Sequence, residues 1–270
     1  MRITFIGGGN MACALIGGFL KQGGDAARIS VVELQAEGRA RLSRDFGVRA
    51  IAALDDAAMA CDLLVLAVKP QQMREVCAAL AGRLGRQTVL SIAAGLRVAD
   101  LSRWLGGHRR IVRAMPNTPA LIGQGVTGLH ADASVSADER TQAEQVLAAV
   151  GGTVWVDDEA LIDAVTALSG SGPAYVFYFI EAMVRGGEAL GLNASQARAL
   201  ALATFTGASA LAAQSSESPA TLRERVTSKG GTTEAALNAM ATDAVGDAIV
   251  RAMAAAAARG AELGDQLGAA

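Results

Sequence analysis

Gly7-Gly8-Gly9-Asn10-Met11-Ala12 follows directly on the apolar run Ile3–Ile6 and leads into a helical pattern. A GxGxxA turn in that setting suits a pyrophosphate. Gly7 permits the tight turn, Gly9 lets backbone N–H groups approach the phosphates, and the small Ala12 lets the helix sit against the strand. Asn10 and Met11 begin that helix, whose N-terminus aims free N–H groups and a positive dipole end at the anion. A second β-branched run ends at Glu33, 21 residues past Ala12, where a carboxylate can accept the hydroxyls of an adenosine ribose. Glycines alone also make ligand-free turns; the strand before them, the helix after them and the distant carboxylate favour a dinucleotide.

Two further clusters fall where open α/β sheets bind ligands, at the carboxyl ends of strands. Val68-Lys69-Pro70 closes the run Leu63–Val68, and Lys69 there is either a solvated loop lysine or a partner for a phosphate, a ribose hydroxyl or a carboxamide. Met115-Pro116-Asn117-Thr118-Pro119 closes another run, and its two prolines fix the backbone around the donor and acceptor of the Asn117 amide. Ser169-Gly170-Ser171-Gly172-Pro173 reads as a helix start open to close approach, or as a plain helix–helix corner. In Thr227-Ser228-Lys229-Gly230-Gly231-Thr232-Thr233, the pair Gly230 and Gly231 stands before a helical pattern with hydroxyls on both sides, a pocket for a small carboxylate. His108 and His130 have no partner at metal or triad spacing, and neither a nucleophile elbow nor a paired-carboxylate motif is present, so any reaction draws its chemistry from a cofactor.

The elements that must position these residues change rhythm once. Strand-like runs at Ile3–Ile6, Ile29–Glu33, Leu63–Val68, Thr88–Ile92 and Arg110–Met115 alternate with helical patterns near 10–22, 35–46, 71–84 and 97–105, which predicts a parallel sheet covered on both faces. Weaker strands at Val126–Leu129 and Thr153–Val156 flank a helix near 136–149, opened by a capping-box spacing from Ser136 to Glu139. Beyond about Asp157 only helical patterns remain, at 159–168, 173–190, 195–214, 219–227, 233–241 and 244–267. The division predicted is therefore 1–160 for the dinucleotide and 161–270 for a helical domain. That second half is rich in alanine and poor in large side chains, so pairing with a second copy would cover its apolar faces.

Composition narrows the class. Hydrophobic residues make up 51% of the chain against 19% charged, enough for a buried core. A formal charge of -2 supplies no cationic field, which argues against nucleic acid and anionic lipid as partners. No apolar run reaches the length of a membrane span, and the first dozen residues lack the apolar core of a signal peptide. Cys13, Cys61 and Cys77 are odd in number and match no zinc pattern, which fits reduced thiols in a cytoplasmic setting.

IGGGNMA at 6–12, AVKPQ at 67–71, VRAMPNTP at 112–119, DAVTALSGSGPAYVF at 163–177 and VTSKGGTTEAAL at 226–237 together resemble the pyrroline-5-carboxylate reductases, in the family's order and across nearly the whole chain. The glycine turn is shared with many dehydrogenases; the last two motifs are specific. The resemblance implies a Rossmann-type α/β domain followed by an all-α dimerisation domain, with dimers often joined into larger rings. It implies NAD(P)H-dependent reduction of the C=N bond of 1-pyrroline-5-carboxylate to L-proline, the last step of proline biosynthesis. By the same resemblance Ser228, Gly231 and Thr232 cradle the substrate carboxylate, Thr233 hydrogen-bonds the ring nitrogen, and Lys69 and Asn117 stand beside the nicotinamide. Where many members carry a short Asn/Ser-Arg segment, this chain has Glu33-Leu34-Gln35, which points to NADH as well as the family's usual NADPH. A β-hydroxyacid-type dehydrogenase remains an alternative, although it needs a helical-domain lysine and Lys229 is the only lysine after Lys69. A dinucleotide-sensing regulator, binding cofactor without consuming it, is the non-enzymatic one.

Overall fold

The computed structural model describes residues 1–269. The chain forms two compact units, Met1–Ser171 together with the chain from Ala256 onward, and Gly172–Ala255.

The first unit is built on an eight-stranded sheet. Its strands are β1 (Ile3–Ile6), β2 (Ile29–Val32), β3 (Arg49–Ile51), β4 (Leu63–Leu66), β5 (Thr88–Ser91), β6 (Ile111–Met115), β7 (Gly125–Ala131) and β8 (Gly151–Trp155), in the spatial order β3-β2-β1-β4-β5-β6-β7-β8. From β1 the chain builds outward through β2 and β3, then returns to place β4 on the other side of β1. Strand order reverses there, and in such sheets the crevice at that reversal takes the ligand. Helices α1 (Asn10–Lys21), α2 (Ala36–Phe46) and α6 (Ala137–Ala148) cover one face through Phe5, Leu15, Ile16, Val31 and Leu42. The short α3 (Asp56–Met59), with α4 (Pro70–Leu80) and α5 (Val98–Trp104), covers the other through Leu64, Leu66, Met73, Cys77 and Leu101. All four residues of β4 are buried, as a central parallel strand between two helical layers requires.

Three differences from the sequence reading have physical causes. The sheet is not wholly parallel, because β7 runs antiparallel to β6. Only residues 116–124 join them, too few for the dozen or more that a parallel crossover needs. Strand β3 and helix α3 escape the pattern because three and four residues are shorter than any periodicity. The last helix, α12 (Val245–Ala269), reads in sequence as part of the helical half, yet its end lies on the first unit. Gly260, Gly264 and Gly268 recur every fourth residue, and a Cβ at Gly264 would come 3.1 Å from the Gly95 carbonyl oxygen. Arg97 pairs with Asp265 at 2.7 Å, and Arg103 donates to the Gly268 carbonyl at 2.5 Å.

After α7 (Leu161–Val165) and a π-turn at Thr166–Gly170, the second unit begins with α8 (Gly172–Ala189). It continues with α9 (Ala194–Gln214), α10 (Pro219–Arg225) and α11 (Thr232–Thr242) and includes the start of α12. Asn193 and Gln196 form a reciprocal capping box at the start of α9. Helices α8 and α9 meet at Gly187, where a Cβ would lie 3.0 Å from that of Ala197. No residue of α8 is buried, and in α9 only Ala197 and Ala201 are. Phe177 and Tyr178 stand 65% exposed and Leu200 57%, which is more apolar surface than a small monomer leaves open.

Candidate active site

Gly7 adopts φ +102° and packs so closely on the end of β4 that a Cβ would lie 2.7 Å from the Ala67 oxygen and 3.1 Å from Val68 Cγ1. Only glycine fits both demands. Gly7 N–H donates to the Val32 carbonyl at 2.8 Å, so the turn hangs from the ends of β2 and β4 at the strand-order reversal. Gly9 caps α1 in extended conformation, and a Cβ there would meet nothing within 4 Å, so the space before the turn is open. The N–H groups of Gly9, Asn10, Met11 and Ala12 have no acceptor among the described residues. Four free donors before open space fit a pyrophosphate. Ala12 is buried against the sheet, as the turn's last position demands.

Glu33 stands one residue past β2. Its Oε2 accepts from Gly8 N–H at 3.0 Å and its Oε1 from Gln35 N–H at 2.8 Å, which fixes the carboxylate between the glycine turn and the start of α2. Gly38 makes room for it, since a Cβ there would come 2.8 Å from Glu33 Cγ. Two arginines flank this corner. Arg39 donates to the carbonyls of Glu33 and Leu34 at 2.9 and 2.7 Å, and Arg41 to the Gly8 carbonyl at 3.3 Å. Arg44 is instead paired with its neighbour Asp45 at 2.8 Å.

Lys69 is exposed at the N-cap of α4, and Pro70 takes the first helical position, where the missing N–H is no loss. Val68 is half-buried against the glycine turn. Asn117 lies at the end of β6 but is buried: its Oδ1 accepts from Val126 N–H at 2.9 Å and its Nδ2 donates to the Ser169 carbonyl at 3.2 Å. Sequence reasoning treats this amide as a ligand-facing group, and the two backbone contacts across 9 and 52 residues are invisible to it.

In the second unit the 227–233 loop differs in detail from its sequence reading. Gly230 adopts φ +72° and donates its N–H to Glu234 Oε2 at 2.6 Å, while Gly231 N–H closes a turn on the Ser228 carbonyl at 3.0 Å. The adjacent glycine donors are therefore engaged inside the loop. Those without an acceptor among the described residues are the N–H groups of Thr232, Thr233 and Glu234 in the first turn of α11, whose N-cap Gly231 offers no side chain. The free donors therefore lie one step further along the chain than the glycine pair. Glu234, missed in sequence, is legible afterwards as the acid that a helix start favours.

Among the described residues the thiols and His108 form no catalytic constellation, although Cys13 Sγ lies beside the glycine turn, 3.5 Å from the Gly8 carbonyl oxygen. Burial pushes the Cys77 thiol up to about 12 and raises those of Cys61 and Cys13, so none is held as a thiolate. Burial lowers the pKa of His108. Buried Arg113 pairs with Glu159 at 3.0 Å and Asp163 at 3.5 Å, and Glu159 also accepts from Val98 N–H at 2.7 Å, which ties β6, α5 and α7 together.

A sheet with its strand order reversed beside a glycine turn, four free N–H donors and a carboxylate past the second strand defines a Rossmann-type dinucleotide-binding protein, here with a separate helical unit. Residues 159–263 match the family model for pyrroline-5-carboxylate reductase dimerisation, and residues 2–95 match that for NADP oxidoreductase, coenzyme F420-dependent. The chain is 50% identical over 99% of its length to pyrroline-5-carboxylate reductase of Pseudomonas aeruginosa, covering 98% of that protein. It is 42% identical to the Haemophilus influenzae enzyme of the same name, over 97% of both. A solved pyrroline-5-carboxylate reductase from Coxiella burnetii superposes with a TM-score of 0.93 at 39% identity, over 97% of this chain and 98% of that one. The Plasmodium falciparum pyrroline carboxylate reductase, solved with NADP bound, gives 0.85 at 25% identity over 98% of each. The chain belongs to the pyrroline-5-carboxylate reductase family.

Proposed function

We propose that this protein reduces 1-pyrroline-5-carboxylate to L-proline with a reduced nicotinamide dinucleotide, the closing step of proline biosynthesis. The likeness to pyrroline-5-carboxylate reductases along the full chain, through both the glycine turn and the 226–237 loop, carries this reading. When bound, the dinucleotide supplies the hydride. Gly7, Gly9, Asn10, Met11 and Ala12 hold its pyrophosphate, Glu33 its adenosine ribose, and Val68, Lys69 and Pro70 line the edge toward the nicotinamide, while the Asn117 amide is engaged by the backbone of Val126 and Ser169.

Ser228, Gly230, Gly231 and Thr232 form the loop that takes the substrate carboxylate, its donors being the free N–H groups at the start of α11. Thr233, half-buried in that first turn, donates its hydroxyl proton toward the ring nitrogen. Hydride addition to the neutral C=N carbon builds negative charge on the ring nitrogen, which the Thr233 hydroxyl meets as a hydrogen-bond donor while solvent supplies the proton. An imine that arrives protonated needs only positioning, and no histidine is required. Lys69 orients the reacting ring of the cofactor from the N-cap of α4.

The Glu33 carboxylate supports use of NADH at least as efficiently as NADPH, because a 2'-phosphate would meet a like charge. The exposed apolar side chains of α8 and α9 support a homodimer, with dimers assembling further into a ring. Three free thiols, raised in pKa, suit a reducing, cytoplasmic setting. No helix among the described residues is long and apolar enough to cross a membrane. The deciding assay follows NADH and NADPH oxidation with pyrroline-5-carboxylate and detects proline; no turnover above a protein-free blank with either cofactor rejects the reading.

A further inference from the structure

The Asn117 side chain satisfies a backbone defect 52 residues away in the chain. In a regular helix the Ser169 carbonyl would accept from the N–H of residue 173, but that residue is Pro173, which has none. Just before Pro173 lies the π-turn Thr166–Gly170, in which Ser171 N–H reaches the Thr166 carbonyl at 2.8 Å. Such turns recur at functional sites because they break the regular ladder. The Ser169 carbonyl is left over, and Asn117 Nδ2 reaches it at 3.2 Å. Val126 N–H can only donate, so its bond to Oδ1 fixes which end of the amide points to Ser169.

Packing holds the same turn from beneath. A Cβ at Gly170 would lie 2.6 Å from Met115 Cε, and one at Gly128 would lie 2.5 Å from Val165 Cγ1. The next residue but one, Gly172, starts α8 and the second unit.

We propose that Asn117 is a positioning residue: its amide fixes the π-turn through which the chain leaves the dinucleotide-binding unit, and so supports reduction of the imine without itself holding the cofactor. This rests on the function proposed above.

The test uses the full-length protein, with cofactor affinity titrated in the absence of imine and steady-state kinetics measured in its presence. Asn117→Ala is expected to lower kcat/KM for the imine about ten- to hundredfold, the scale of small misplacements remote from the chemistry. Cofactor Kd should stay within about twofold. Asn117→Asp keeps the acceptor for Val126 but, ionised, sets a bare oxygen against the Ser169 carbonyl. On protonation, favoured by burial, it regains a donor, so its activity relative to wild type should climb between about pH 8 and pH 5.5 while the alanine ratio stays flat.

Gly170→Ala disturbs the turn from the Met115 side and should give the same imine-specific loss; it serves if the Asn117 variants do not fold. Cofactor Kd weakening in step with kcat/KM, unchanged kcat/KM, or parallel pH profiles for the Asp and Ala variants each overturn the positioning role. A wild-type protein inactive toward the imine overturns instead the function on which it rests.

Discussion

Replacing Glu33 with serine should shift the cofactor ratio toward NADPH, by an amount that Coulomb's law sets. The carboxylate is anchored by Gly8 N–H and Gln35 N–H, so it cannot swing away from a 2'-phosphate without giving up both bonds. Two like charges about 4 to 5 Å apart repel by about 1 kcal/mol in bulk water and about 3 to 4 kcal/mol at the effective dielectric of a protein surface. A solvent-facing corner therefore gives a shift of about tenfold or more in affinity. Arg39 and Arg41 are the cations that oppose this effect. Both are held on backbone carbonyls, those of Glu33 and Leu34 for Arg39 and that of Gly8 for Arg41, and neither forms an ion pair with Glu33. Removing the carboxylate leaves them as the dominant charge at that corner. Measured as kcat/KM for NADPH over NADH, the wild-type ratio should lie at or below one and rise about tenfold or more in Glu33→Ser. Adding Arg39→Ala should take back part of the rise. Melting temperature serves as the control, since the variant also frees two backbone donors. A wild-type preference for NADPH above about tenfold, or a ratio unmoved by Glu33→Ser, would refute the reasoning and assign cofactor choice to the arginines.

The two glycines of the turn should separate folding from binding. Gly9→Ala should melt like wild type yet bind cofactor about tenfold or more weakly, its methyl standing in the open phosphate space; Gly7→Ala, strained at φ +102°, should lose about 1 to 3 kcal/mol of stability. Thr233→Ala should lower turnover about tenfold with cofactor affinity unchanged, and full turnover would reduce Thr233 to a helix-start residue. Arg49 and the Ala58 N–H hold the Asp55 carboxyl down at about 2, below its unfolded value, so its contribution is complete above about pH 4 and fades as pH falls toward 2. The melting difference between wild type and Asp55→Asn should therefore shrink across that window, and a constant difference from pH 6 to about pH 2 contradicts the pairing. Light scattering at micromolar concentration should show a dimer or larger, with lower mass for Phe177→Asp; a stable, active monomer rejects the role given to the exposed faces of α8 and α9.

Local chemistry was legible because it depends on near neighbours. The turn at Gly7–Ala12, the carboxylate past β2, Pro173 at a helix start and the switch from alternating to helical rhythm are all written in spacings of a few residues, and strand and helix periods are local properties of the backbone. The unpartnered apolar character of α8 and α9 was legible for the same reason, since composition alone shows a thin core. Tertiary structure decided what depends on distance along the chain. The antiparallel β7 followed from a connection too short to cross over, and the end of α12 left the helical half because glycines at every fourth position let it lie against Gly95. Gly230 and Gly231 carried the right pattern for an anion loop, but closure onto Glu234 and Ser228 moved the free donors into α11. Asn117 is the sharpest case: its two hydrogen bonds reach 9 and 52 residues away, and a side-chain amide finds such partners only once the sheet and the π-turn have brought them within about 3 Å.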